Sequence, residues 1–190
     1  AGNAVAGDGD GIQAALDTYA QALVGKDRDR FASILDSASP DFTAQELQRF
    51  DRLTSVPFDS YYLKLLIQSE TVPGTVAAKV ATSYTLRGSF ADLPDSERTA
   101  YFLVKREDGW KLSGDAGEQA LGKRRDARFE DFGQVKVLEG ERSIVLYHDA
   151  QRGTAEQALS LTEAAVPRRG GIISRFRLPK VPLFVYRSKG

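Results

Sequence analysis

The chain has 190 residues, of which 42% are hydrophobic and 27% charged, as in ordinary globular proteins. Lys plus Arg and Asp plus Glu both number 26, so no excess charge favours a nucleic acid or a membrane surface as partner. Cysteine is absent, which excludes disulfides and thiolate chemistry, and no apolar run reaches the length of a membrane-spanning helix.

The first residues, AGNAVAGDGDG, have no periodicity, and residues 1–11 are predicted to be a flexible spacer. Because methionine is also absent, we expect a processed or truncated chain whose spacer followed a removed secretory or lipoprotein signal. This favours an extracytoplasmic location, secreted or anchored at the cell surface. A boundary introduced for expression is the alternative.

Three helices are predicted next. The first begins at Ile12, where apolar residues recur at helical spacing, and ends at Gly25. A short helix follows Asp27. A third begins at Thr43, which starts a capping-box pattern completed by Glu46, and ends before Pro57.

Alternation of apolar and polar residues then predicts antiparallel strands. The first two run from Tyr61 to Glu70 and from Val76 to Gly88. Phe90 to Ser96 is predicted as a loop, and Arg98 to Asp115 as a β-hairpin with a type I′ turn at Asp108-Gly109.

This order of elements predicts an α+β fold, in which a curved antiparallel sheet wraps around the N-terminal helices. The runs YAQALVGKDRDRF, TSYTLRG and RTAYFLVKREDGWKLSGD resemble the nuclear transport factor 2-like (cystatin-like cone) superfamily over residues 12–118. The resemblance implies a cone of sheet around a long helix. It implies little about function, because this cone occurs in isomerases, cyclases, dehydratases and many non-enzymatic modules.

Residues 119–133 are polar, lack sheet periodicity and are predicted to be a linker. A partial α/β segment of order β-β-α-β is predicted over residues 134–190. Its elements are strands Gln134–Leu138 and Ser143–His148, a helix Thr154–Val166 and a strand Val181–Tyr186.

The runs ERSIVLYHD, AEQALSLTEAAV and LPKVPLFVYRS in this segment resemble the N-terminal portion of gluzincin-type bacterial metallopeptidase-like domains. The resemblance implies a missing C-terminal peptidase-like domain as partner. The H-E-x-x-H motif that holds zinc in such enzymes does not occur in this chain, which has a single histidine.

Candidate catalytic residues are few. His148 is the one imidazole, and we expect it at a solvent-exposed strand end. The resemblance to isomerase-like members of the superfamily implies Tyr19 as hydrogen-bond donor to an enolate, with Asp41 or Asp59 as proton shuttle. A buried, purely structural Tyr19 is the alternative.

Two further residues are predicted to be structural. Trp110 is expected to pack inward against the first helix near Leu16 or Tyr19, and Gly109 to form the hairpin turn. We expect no cofactor, no metal and no nucleic acid as partner.

The sequence favours a non-catalytic accessory, ligand-binding or interaction module of a larger extracytoplasmic bacterial protein, fused N-terminal to a peptidase-like domain. One alternative is a small-molecule pocket enzyme of the isomerase or cyclase kind that uses Tyr19 and an Asp. Another is a peptide- or glycan-binding surface of the cell envelope. A homodimer through the sheet and a small apolar ligand fit the first hypothesis. A polar pocket beside Tyr19 would favour the enzyme, and a filled apolar core the module.

Overall fold

Three helices precede the first strand in the computed structural model, which describes residues 8–89, 93–122, 128–165 and 179–186. They are α1 (Asp8–Gly25), α2 (Arg28–Ser33) and α3 (Pro40–Leu53). Helix α1 begins ahead of Ile12, so the last residues of the predicted spacer are helical. The short helix after Asp27 is confirmed, and the Asp27 side chain caps it by accepting a hydrogen bond from the backbone N–H of Arg30.

Helix α3 begins at Pro40, so the capping box predicted at Thr43 is wrong. Proline is tolerated in a first helical turn, where its missing N–H would have had no helical partner. Thr43 lies inside that turn, and its hydroxyl donates to the backbone carbonyl of Asp36 at 3.0 Å. The helix ends at Leu53, ahead of Pro57.

Antiparallel strands follow, paired in the order β1-β2-β3-β4. They are β1 (Phe58–Val72), β2 (Thr75–Leu86), β3 (Leu93–Arg106) and β4 (Gly109–Asp115). The loop predicted over Phe90–Ser96 is wrong from Leu93 onward, because β3 already pairs with β2 there. Pro94 is tolerated because β4 pairs only with Tyr101–Arg106, which leaves this part of β3 at a sheet edge.

The hairpin loop between β3 and β4 consists of Glu107 and Asp108, since Arg106 pairs with Gly109. A type I′ turn needs positive φ at both central residues. In the described part of the chain the one non-glycine residue with positive φ is Lys26, so the predicted type I′ turn is wrong. The positive φ of 119° belongs to Gly109, the first residue of β4.

The sheet curves around α1, because this helix contacts both edge strands, β1 and β4. The core between them buries Leu16 and Tyr19 of α1 together with Phe31, Phe50 and Leu112 from the surrounding elements. The predicted α+β fold class, with a curved antiparallel sheet wrapped around the N-terminal helices, is confirmed.

A second sheet contains β5 (Lys136–Glu139), β6 (Ser143–Tyr147) and β7 (Val181–Phe184), with α5 (Arg152–Ala165) between the last two strands. Strand β6 pairs antiparallel with β5 and parallel with β7, which confirms the β-β-α-β segment. One face of this sheet packs against α5. The other face joins the main core through Ile144 and Leu146, so the two sheets share one core.

Two short elements lie in and beside the predicted linker. Helix α4 (Gly117–Leu121) packs on the outer face of the first sheet, against Ala77 and Ala100. A 3₁₀ turn spans Phe129–Phe132 and contacts α3. This turn brings charged residues into the interior, where the candidate site is found.

Candidate functional site

Helix α3 carries two charged side chains on its buried face. Glu46 and Arg49 are 7% and 6% exposed, and their spacing of three residues places them on the same side of the helix. Arg49 Nη1 lies 3.6 Å from Glu46 Oε2. Because a buried charge is costly without partners, other groups must complete the pairing.

Tyrosine hydroxyls supply two of those partners. Tyr19 Oη donates to Glu46 Oε2 at 3.0 Å and accepts from Arg49 Nη1 at 2.9 Å. The same Nη1 donates to Tyr101 Oη of β3 at 3.3 Å. Burial raises the pKa of Tyr19 well above its ordinary value, and the positive charge of Arg49 opposes this only in part. Tyr19 is therefore a protonated phenol held in a structural network.

Glu130, in the 3₁₀ turn, completes the cluster. Arg49 Nε donates to Glu130 Oε1 at 2.7 Å, and Arg128 Nη1 lies 3.9 Å from the same oxygen. Burial by itself would raise the pKa of Glu130, but the charges of Arg49 and Arg128 outweigh it and the pKa is lowered. Glu130 is therefore an ionised carboxylate at neutral pH.

Hydrogen bonds to the C-terminal end of α3 hold the 3₁₀ turn in position. Arg52 Nη1 donates to the backbone carbonyls of Glu130 and Asp131 at 3.2 and 3.3 Å. The backbone N–H of Val135 donates in turn to the Arg52 carbonyl at 3.2 Å. These bonds hold the chain from the turn to β5 against the helix.

A cavity of about 200 Å³ lies beside this cluster, between α3 and the two sheets. Its lining includes stacked rings: Tyr61 and Tyr84 have centroids 6.0 Å apart at 12°, and Phe58 stands edge-on to both. Other aromatic side chains in the lining are Phe129, Phe184 and Tyr186. The charged residues that line it are Arg49, Arg128 and Glu130.

Tyr61 is a polar residue of the cavity lining whose hydroxyl can still form a hydrogen bond. Its side chain is buried, with 7% exposure, yet its hydroxyl has no hydrogen-bond partner among the described residues. Burial raises the pKa of Tyr61 to about 12, so the hydroxyl is protonated at neutral pH and can donate a hydrogen bond.

The structure does not bring together the residues of the isomerase hypothesis. Tyr19 is bonded to Glu46 and Arg49 and is not in the cavity lining. Asp41 is exposed in the first turn of α3, and Asp59 is exposed on β1. Neither carboxylate reaches the interior.

Sequence reasoning missed the acidic residues that do reach it. The capping-box pattern predicts Glu46 at the start of a helix, and Glu130 lies in the predicted linker. For Glu46 the sequence does contain a signal of burial, because Glu46 and Arg49 lie on the helical face that carries the apolar residues Phe50 and Leu53.

His148 is buried, so the prediction of a solvent-exposed strand end is wrong. Its Nδ1 lies 3.1 Å from the Gln134 carbonyl, and its ring stacks on Phe129 with centroids 4.4 Å apart. The imidazole supports a wall of the cavity through Phe129 and does not line the cavity itself.

Trp110 is buried and contacts the first helix at Gly11, nearer to the start of the helix than Leu16 and Tyr19. A Cβ atom at Gly11 would come within 2.8 Å of Trp110 Cδ1. The ammonium group of Lys105 lies 5.7 Å from the indole centroid and also bonds Asp8 at 2.8 Å.

Within the described ranges, no three His, Asp or Glu side chains are grouped so that they could hold a metal ion. Nor do those ranges contain a helix of the length and apolarity needed to cross a membrane.

Comparison with known proteins found no matching family model and no matching curated protein. Solved structures that are similar include a domain of unknown function with a cystatin-like fold from Nostoc punctiforme, 15% identical, covering 84% of this chain and 99% of that one, with a TM-score of 0.47. A proposed aromatic ring hydroxylase from Novosphingobium aromaticivorans is 17% identical over 56% of this chain and 85% of its own, with a TM-score of 0.39.

A protein of unknown function from Mycobacterium tuberculosis is 14% identical over 54% of this chain and 70% of its own, with a TM-score of 0.39. The identities are below 25% and the TM-scores below 0.5, so these likenesses assign no function.

The lowered pKa of Glu130 predicts acid sensitivity. Because the folded pKa lies below the ordinary value of 4.5, ionised Glu130 stabilises the folded state at neutral pH. This contribution is lost as the pH falls below 4.5 and then below the pKa of Glu130 in the folded protein. The free energy of unfolding, measured with urea at several pH values, should therefore fall less steeply on acidification in Glu130→Gln than in the wild type.

Glu107→Gln is the control, because Glu107 is exposed in the hairpin loop. Its acid profile should match that of the wild type. Parallel profiles for wild type and Glu130→Gln would contradict the assignment of a charged, paired Glu130.

Proposed function

We propose that this chain is a non-catalytic module that binds a small molecule in the cavity between its two sheets. The observation that carries the proposal is the hydroxyl of Tyr61, a residue that is 7% exposed: this hydroxyl has no partner in the described part of the chain and belongs to the lining of an aromatic cavity. A ligand in the cavity can supply the acceptor that this donor lacks among the described residues.

The electrostatics of the cluster favour binding over proton transfer. An efficient general base has a pKa near the working pH. The pKa of Glu130, the carboxylate in the lining, is instead lowered, and Arg49 already occupies one of its oxygens at 2.7 Å. Tyr19, the donor in the isomerase hypothesis, already forms hydrogen bonds with Glu46 and Arg49.

Filling the cavity tests the proposal. Leu146 lines it from β6, so Leu146→Phe should occupy the space at a cost of about 1–3 kcal/mol in stability. We expect wild-type protein to bind members of a panel of one-ring compounds, charged and neutral, in an NMR screen. Leu146→Phe should bind none of them.

Leu138→Phe is the matched control, because Leu138 lies on the opposite face of the same sheet, where it packs with Val145 and α5. It should bind the panel like the wild type. A panel in which no compound binds the wild type, or in which Leu146→Phe binds equally well, would refute the proposal.

We also propose, from the sequence resemblance of residues 134–190, that the module belongs to a larger extracytoplasmic bacterial protein and precedes a peptidase-like domain. The coding sequence that follows Gly190 tests the fusion: a metallopeptidase motif there supports it, and an immediate stop codon contradicts it. Cell fractionation of the full-length tagged protein tests the location.

A further inference from the structure

The cavity suits a flat ligand of about one ring. Its volume of about 200 Å³ is somewhat larger than the roughly 150 Å³ of an engineered apolar cavity that binds benzene. The near-parallel rings of Tyr61 and Tyr84 and the edge-on ring of Phe58 offer aromatic surface to a planar partner. A single ring with one short substituent therefore fits the available space.

The charged lining favours an anion. Among the described residues that line the cavity, two guanidinium groups, those of Arg49 and Arg128, face one carboxylate, that of Glu130. All three side chains are buried, so their charges are poorly screened by water. Glu46, whose carboxylate lies 3.6 Å from Arg49 Nη1, is not in the lining, so a ligand in the cavity meets the two guanidinium groups and the single carboxylate of Glu130.

Two hydrogen-bond donors of this lining have unused capacity. One is the Tyr61 hydroxyl, and the other is Nη2 of Arg49, which bonds no described residue. The remaining donors of Arg49 are used, since Nε bonds Glu130 and Nη1 bonds Tyr19 and Tyr101. An ionised carboxylate is an acceptor-only group with two oxygens, which matches a pair of donors.

We infer that the cavity binds a small planar carboxylate, in which one ring packs against the aromatic wall and the carboxylate oxygens accept hydrogen bonds from Tyr61 and Arg49. The inference rests on the proposed function, because it names the ligand class of the same site. Benzoate is the simplest probe of this class.

Isothermal titration with benzoate and benzamide tests the class, because the two differ little in shape while the amide is neutral and replaces an acceptor oxygen with a donor. Benzoate should bind at least about tenfold more tightly than benzamide. Cyclohexanecarboxylate, which carries the charge on a puckered ring, should bind several-fold more weakly than benzoate. Methyl NMR of the wild-type protein should place benzoate beside Val135 and Leu146 of the lining.

Tyr61→Phe removes one donor and keeps the ring. It should weaken benzoate binding by about fivefold or more and leave benzamide binding closer to that of the wild type. Tyr62→Phe is the matched control, since Tyr62 is the next residue on β1 and is 59% exposed. It should bind benzoate like the wild type.

The outcomes separate the two proposals. If benzamide binds as tightly as benzoate and both are lost in Leu146→Phe, the carboxylate inference is overturned and the small-molecule site stands. If benzoate shifts no methyl group of the cavity lining, or binds Tyr61→Phe unchanged, the inference is also overturned. If no one-ring compound of the panel binds, both proposals fail.

Discussion

Replacing Arg49 with methionine is expected to lower the free energy of unfolding by about 3–5 kcal/mol, measured by urea denaturation at neutral pH. Arg49 is the common partner of Glu46, Glu130 and two tyrosine hydroxyls, all of them buried. Its removal leaves Glu130 in the interior without its closest cation. Methionine retains much of the length and apolar volume of the arginine stem, so the loss reports the charge more than the packing.

Two companion variants make the Arg49 result specific. Arg28→Met breaks a guanidinium–carboxylate bond of 2.9 Å to Asp51, but both side chains are about half exposed, so the variant should be nearly as stable as the wild type. Adding Glu130→Gln to Arg49→Met should recover part of the loss, because the uncompensated charge disappears. An Arg49→Met variant no less stable than Arg28→Met would contradict a buried charge cluster.

Replacing Trp110 with alanine is expected to destabilise the protein by a similar amount, about 3–5 kcal/mol, because it removes a large buried ring from the junction of β4 and α1. The melting temperature and the urea midpoint should both fall. A near-wild-type melting temperature would contradict the packing of the indole against the helix.

Two glycines of α1 provide a matched test of that contact. A Cβ atom at Gly11 would meet Trp110 Cδ1 at 2.8 Å, whereas one at Gly9 would meet nothing within 4 Å. Alanine is favoured over glycine inside a helix by about 0.5–1 kcal/mol. Gly9→Ala should therefore be neutral or stabilising and Gly11→Ala destabilising. In the Trp110→Ala background the penalty at Gly11 should disappear, because the indole is absent.

The sequence determined the elements that depend on local patterns. Helical spacing from Ile12 to Gly25 and alternation through β1, β2 and the β3–β4 hairpin predicted the order and type of those elements, and with them the α+β class. The β-β-α-β order of the C-terminal segment was predictable for the same reason. Each of these patterns reflects one face turned to the core and needs no knowledge of the partner.

Local rules failed where a distant contact outweighed them. The start of β3 at Leu93 is stabilised by pairing with β2, although the sequence around Pro94 is typical of a loop. The hairpin turn also differs from its local signal, because the pairing of Arg106 with Gly109 sets the loop to Glu107-Asp108.

The candidate site was decided by tertiary structure alone. Charged residues are almost never fully buried unless they are paired, so a sequence by itself predicts Arg49, Arg128 and Glu130 to be on the surface. Arg49 and Glu130 are 81 positions apart in the chain. They are buried because the turn at Phe129–Phe132 packs on α3 and brings each charge its counterion, which offsets the loss of water around both.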